Sequence, residues 1–140
     1  MSAGEMIVRL FHARTAAHIA HFQTNSYAQH KALNDFYDAI VGVTDEWVEC
    51  YQGLFGIIGE YPTIAVPQGK PADWIDSLRQ WLKKNRDACC QGETLLENLH
   101  DNIQAVCAQT VYKLRCLDNP TMKSEPDGDD MGVMGSMMKW

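Results

Sequence analysis

Four side chains in the first third of the chain are metal ligands by type: His18, His30, Asp45 and Glu49. Imidazole nitrogen combined with carboxylate oxygen suits Fe(II), and zinc or manganese can compete for the same set. Their spacing is wrong for one helix and right for two. A helix rises about 1.5 Å per residue, so His30 and Asp45 on one helix sit roughly 22 Å apart and cannot share an ion. His18 and His30, by contrast, flank the polar stretch Thr24-Asn25-Ser26 at nearly equal distances. An antiparallel hairpin turning there brings the two imidazoles level. If two copies of the second helix cross antiparallel near Asp38, His30 of one copy faces Asp45 and Glu49 of the other. The spacing therefore predicts two metal sites per dimer, each shared between copies. The structural alternative has the histidines packed at the edge of a core and the carboxylates on a solvated helix face.

Other candidates surround this set. Asp38 lies on the same angular strip as Asp45 and Glu49 and is a possible accessory carboxylate. His21 is three residues from His18 and shares its face, either entering the site or packing at the hairpin end. Glu97-Asn98-Leu99-His100 is a Glu-x-x-His, the motif of carboxylate-bridged di-iron bundles, but no second copy is present. Glu97 also has a structural reading as the acidic partner of Thr94 in a capping box. Met131, Met134, Met137 and Met138 offer either a soft Cu(I) site, a short partner-binding peptide, or simply an unstructured terminus. The chain contains no phosphate-cradling Gly loop, no Ser-His-Asp arrangement and no Cys-His pair at a useful spacing.

The elements that must position these groups are helices. A first helix spans about 5–23, with Ile7, Phe11, His18 and Phe22 on one stripe and Leu10 and Ala17 beside it. A second runs from about 26 to 54, capped by Thr24, Asn25 or Ser26, with Leu33, Phe36, Tyr37, Ile40, Thr44, Trp47, Val48 and Tyr51 as its inward face. At 100° per residue Asp45 and Glu49 fall roughly 120–160° from the centre of that face, flanking the core. Residues 56–70 carry Gly56, Gly59, Gly69, Pro62 and Pro67 and no helical period. Such a long irregular link needs a reason, and its extended reach of roughly 50 Å supplies one: it can cross the length of a bundle. A third helix over about 71–90 begins at Pro71, turns Trp74, Ile75, Leu78, Trp81 and Leu82 inward and stops at Gly92. A fourth over about 94–117 carries Leu99, Ile103, Val106, Leu114 and Leu117 and ends before Asn119-Pro120. The expectation is an all-α, ferritin-like four-helix bundle with one long crossover between helices 2 and 3. It occupies residues 1–119, and a Met/Gly/Asp-rich tail over 120–140 reads as disordered.

Composition narrows the function. A net charge of −6 gives no electrostatic footprint for nucleic acid. The apolar runs are too short to span a bilayer, and the start of the chain lacks the basic and apolar regions of a signal peptide. Five cysteines (Cys50, Cys89, Cys90, Cys107 and Cys116) form an odd set without a Cys-x-x-Cys pair, which reads as free thiols in a reducing cytoplasm.

The intervals His18–His30–Asp45–Glu49 resemble those of the Dps-like miniferritins within the ferritin-like superfamily. The likeness extends to Gly92-Glu93-Thr94-Leu95-Leu96 and to Val111-Tyr112-Lys113-Leu114-Arg115-Cys116-Leu117, and covers roughly residues 6–118. It implies a ferroxidase that oxidises Fe(II) with peroxide or dioxygen, built as a homo-oligomer of two-fold dimers that can close into a hollow shell. Four departures qualify what is implied, one of them a crossover without the family's short helix. Asn34 stands where the family places an Asp one turn after the second His, which implies a weaker hold on a second iron. Ile19 stands in place of a Trp after the first His, and no Lys-rich arm is present to coat DNA. A narrower likeness runs from His18 through His21-Phe22-Gln23-Thr24-Asn25-Ser26-Tyr27 to Tyr51-Gln52-Gly53. This string resembles short, functionally uncharacterised proteins of tailed bacteriophages. It implies the alternative: a non-catalytic, ferritin-like phage or virion-associated interaction protein, located in the host cytoplasm or the virion.

Overall fold

In the computed structural model, which describes residues 3–118 and Trp140, four helices carry the fold. They are α1 (Ala3–Gln23), α2 (Tyr27–Phe55), α3 (Pro71–Cys90) and α4 (Thr94–Tyr112), the last prolonged by a π-helical turn over Lys113–Leu117. Among the described residues no helix is long and apolar enough to cross a membrane. The start of α2 is fixed by Ser26, whose Oγ accepts a hydrogen bond from the Gln29 amide at 3.2 Å. Pro71 occupies the first turn of α3, where its missing N–H costs nothing. That helix ends at Cys90, capped by Gln91, left-handed at φ 52°, with Gly92 following at φ 76°. At α4 the expected Thr94–Glu97 capping box does not form. Glu93 is the N-cap, without a side-chain bond, and the Glu97 carboxylate lies 3.5 Å from Arg86.

Side-chain pairs at the ends of the helices fix their directions. Asp118 accepts hydrogen bonds from Ser26 at 2.6 Å and Gln29 at 3.0 Å, and Lys113 pairs with Asp35 at 3.3 Å, so the end of α4 meets the start of α2. Arg115 lies 3.2 Å from Asp73, placing the same end beside the start of α3. At the opposite end Gln91 donates to the Tyr51 hydroxyl at 3.0 Å. Helices α2 and α3 are therefore parallel, and residues 56–70 run the length of the bundle between them as an irregular crossover. The fold is all-α, with the single long connection that the glycines and prolines foretell.

The core takes Leu33, Phe36, Ile40, Thr44 and Trp47 from α2, Trp74, Ile75, Leu78 and Leu82 from α3, and Leu96, Ile103 and Cys107 from α4. The face of α1 differs from the stripe of large residues read from its sequence. Ile7, Leu10 and Ala17 of that face are buried, joined by Met6, Ala13 and Ala16, whereas Phe11 and Phe22 are exposed. An alanine seam lets α1 approach its neighbours closely and bury more contacts than a ring would at the same position. Its first turn is inside the molecule: Ala3, Gly4, Glu5 and Met6 are all buried, and a Cβ on Gly4 would lie 1.8 Å from the Glu60 carbonyl oxygen of the crossover. Glu5 and Arg9 form a buried pair at 3.0 Å, one turn apart. The 120–140 tail, with its four methionines, lies outside the described residues apart from Trp140.

Candidate functional site

The turn between α1 and α2 assembles an aromatic and imidazole cluster. His21 and His30 stack face to face, ring centroids 3.6 Å apart and 21° between planes. Each ring is tied to the other residue's backbone: His21 Nδ1 donates to the His30 carbonyl at 2.8 Å, and His30 Nδ1 donates to the His21 carbonyl at 3.0 Å. A carbonyl only accepts, so both Nδ1 atoms carry the proton and the neutral rings present their lone pairs at Nε2. His21 is buried and His30 is exposed. His18 sits further along α1, stacked on Tyr37 at 4.0 Å and on Phe22 at 5.0 Å, with His21 edge-on at 6.0 Å. The Tyr37 hydroxyl donates to Asn34 Oδ1 at 2.7 Å, and Asn34 Nδ2 donates to Asp38 at 3.1 Å.

The hairpin thus gathers His18, His21, His30, Asn34 and Asp38 at one mouth, with His21 and not His18 directly against His30. His18 and His21 both face α2, but the rotation of the helix gives His21 the inner position. A parallel stack cannot aim two Nε2 lone pairs at one ion, so His21 and His30 do not chelate together. Asp45 and Glu49 lie on the exposed outer strip of α2, away from the histidines of their own chain. Neither forms an ion pair among the described residues. Also among the described residues, no group of three or more His, Cys, Asp or Glu side chains of one chain is placed to hold a metal. Tyr37 and Phe22 are the residues that sequence reasoning missed here. Their signal was present in the four-residue step from His18 to Phe22, and in Tyr37 lying opposite His18 across the turn.

The same hairpin displays an apolar surface. Phe11 is 40% exposed, Ile19 50% and Phe22 73% along α1, and Tyr27 is 79% exposed at the start of α2. Their steps along α1 keep them on its outer face. On α2 the outer strip reads Lys31, Asp38, Gly42, Asp45 and Glu49, all exposed, and nothing lies within 4 Å of a Cβ placed on Gly42.

Glu97 and His100 do not share a site. Arg86 holds Asp101 through two hydrogen bonds of 2.7 and 2.8 Å and draws Glu97 to its other side. His100 is fully buried, its Nδ1 accepting from Gln104 at 3.1 Å and its Nε2 without a partner. Burial pushes its pKa down to about 4. The thiols of Cys89 and Cys107 are pushed up to about 12 by the same cause, and all five cysteines are free.

Comparison with known proteins places the chain in a family. The pattern of the Family of unknown function (DUF5856) matches residues 21–114. The chain belongs to that family. The DUF5856 match takes in His21, His30, Asn34, Asp38, Asp45 and Glu49, and begins just after His18. The chain is also similar to the "Uncharacterized 14.6 kDa protein in mobD-ri intergenic region" of Enterobacteria phage T4. The two are 28% identical over 113 residues, covering 80% of this chain and 87% of the relative. No solved structure matches it. The phage resemblance of the hairpin string thus has a counterpart in a phage protein, whereas the likeness to Dps-like miniferritins rests on the intervals and the two fourth-helix stretches quoted for it.

Proposed function

We propose that this chain is a phage-type, non-catalytic helical interaction protein that pairs with a second copy through the outer face of the α1–α2 hairpin. The observation that carries the reading is the row of exposed Phe11, Ile19, Phe22 and Tyr27 on one surface, since large apolar groups gathered on one face mark an interaction site. Charge supports a second copy as the occupant. Lys31 and Asp45 each lie seven residues from Asp38, so two copies of α2 crossing antiparallel beside Asp38 set the cation of one against the carboxylate of the other. A two-fold contact of this kind is self-complementary. The T4 relative supports a setting in an infected host's cytoplasm or in the virion. Light scattering tests the pairing: wild type is expected at the mass of two chains at tens of micromolar, and Phe22→Asp at the mass of one with unchanged helix content. A wild type that stays a single chain sinks the reading.

A second reading keeps iron as a substrate at a site shared across that dimer, with a hollow shell as the larger assembly. Two observations favour it. Fixing an imidazole through Nδ1–H to a carbonyl is the usual support of a metal-ligating histidine, and His30 has it. Asp45 and Glu49 are exposed on the strip that a two-fold crossing turns toward a partner's His30. His18, with Asn34 and Asp38 alongside, would complete the set, and zinc or manganese would compete for it. Each Fe(II) held there would give up one electron, two ions being oxidised per peroxide reduced to water or four per dioxygen. Fe(II) oxidation faster than in buffer, lost in His30→Ala and Glu49→Ala, is the expected result. Oxidation at the buffer rate removes this reading and leaves the first intact.

A further inference from the structure

Trp140 occupies a cleft between α1, α3 and the crossover, and each of its contacts selects for an indole. The ring N–H donates to the Ala65 carbonyl of the crossover. Trp74 meets the ring edge-to-face, centroids 6.5 Å apart and planes at 70°. The Arg9 guanidinium lies 5.5 Å over the same ring and 4.8 Å over that of Trp81. Arg9 is itself buried and held by Glu5 at 3.0 Å, so this cation is fixed before any aromatic group arrives. Trp is the best aromatic partner for a guanidinium and, unlike Phe, carries an N–H that can reach a carbonyl from a flat ring. Phenylalanine would lose the hydrogen bond. Trp140 remains half-exposed, so the cleft is reached from solvent.

The chain joining Trp140 to the bundle is much longer than its task requires. It leaves at Asp118, which is bonded to Ser26 and Gln29, and nearby Arg115 pairs with Asp73, the residue before Trp74. Both anchor points therefore lie at the same end of the bundle. The intervening residues 119–139 can reach at most roughly 70 Å. The longest helix, α2, measures roughly 43 Å. A neighbouring molecule's cleft is within that reach.

We propose that this cleft is a tryptophan-binding site that also accepts Trp140 of a second copy, so that copies are joined by exchanging this residue. A site that seats its own Trp140 offers the identical contacts to another's. Which one fills it depends on the concentration of the second copy relative to the effective concentration of the tethered residue. Exchange of an identical element is a low-cost route to association. The cleft lies on the α3 side of α1 and is independent of the α1–α2 face.

Mixed samples test it. A full-length Trp140→Ala acceptor carrying 5-fluorotryptophan reports the cleft through the fluorine signals of Trp74 and Trp81. Adding unlabelled wild type should move those signals toward their wild-type positions, half-way at or below a concentration on the order of 1 mM, the upper range of effective concentration for a flexible tether. Adding unlabelled Trp140→Ala should leave them in place. That donor keeps the α1–α2 face, so pairing through the hairpin cannot mimic the result. No movement with wild type, or equal movement with both donors, overturns the proposal. If the acceptor loses its helix content, Trp140→Phe, which keeps a ring and lacks the N–H, takes its place under the same criteria.

Discussion

His100→Leu isolates one buried group and turns its environment into a measurable pH dependence. His100 is fully enclosed in α4, with Nε2 lacking any partner and Nδ1 accepting from Gln104. Burial is the largest influence on its pKa; Asp101 opposes it and Arg86 reinforces it, and the result is a fall from 6.5 to about 4. The folded state thus prefers the neutral ring. Stability from this source is complete above the unfolded pKa and is lost as pH falls through 6.5 toward 4. Near pH 4.5 the unfolded ring is almost fully protonated while most folded rings are not. At about 1.4 kcal/mol per pKa unit, the wild type should therefore lose roughly 2.5 kcal/mol between pH 7.5 and 4.5 through this residue alone. Leucine has a similar volume, cannot titrate and leaves no orphaned buried N–H, so His100→Leu should lack that component and stay within about 1 kcal/mol of wild type at neutral pH. Asp35, held low by Lys31, is present in both proteins and cancels in the comparison; Asp101 is held low chiefly by Arg86, which both proteins keep, and only its smaller interaction with His100 is lost. Urea unfolding of both proteins at the two pH values is the assay. Equal losses in wild type and variant, within about 0.5 kcal/mol, would refute the reasoning.

The same substitution should have opposite signs at two helical glycines. Gly4→Ala pushes a methyl into the Glu60 carbonyl and should destabilise by about 1–3 kcal/mol through overpacking, whereas Gly42→Ala, in open space mid-helix, should stabilise by about 0.5–1 kcal/mol; thermal unfolding at low micromolar concentration reads both. Thiol labelling of the native protein near pH 8 should proceed in order of exposure. Cys116 should react first, half-buried Cys50 slowly, and Cys89, Cys90 and Cys107 only after denaturant is added, as quantitative alkylation and mass spectrometry would show.

Much of the fold was legible because its signals are local. Ser26 was one of three candidate caps at a polar break, Pro71 marked a helix start, and the inward face of α2 followed from the period of Leu33, Phe36, Ile40, Thr44 and Trp47. The glycines and prolines between Phe55 and Pro71 announced a link with no helix, and the bundle's single crossover followed from its length. The face of α1 was less legible. Phe11 and Phe22 fall on one side of the helix and Ala13, Ala17 and Ala20 on nearly the opposite side, and hydropathy ranks the rings above the alanines although close helix approach favours the small residues. His18 and His21 stand 60° apart on the helix, so the choice of partner for His30 depended on a rotation that only packing sets. Trp140 carried no signal at all, because its seat is made by α1, α3 and the crossover together. The proposed metal site would take His30 from one copy and Asp45 and Glu49 from another, so its geometry is set by packing between chains.

The seating of the first turn of α1 beneath Glu60 alters how the molecule opens. Helix ends ordinarily fray, and their amides exchange with solvent long before the rest of the fold. Here the opening turn is clasped by the strap that spans the two hairpins, so it cannot unwind until that strap lifts. Amide protons at Ile7 and Val8 should then exchange as slowly as those of mid-helix residues, and the first and second hairpins should separate in one cooperative event.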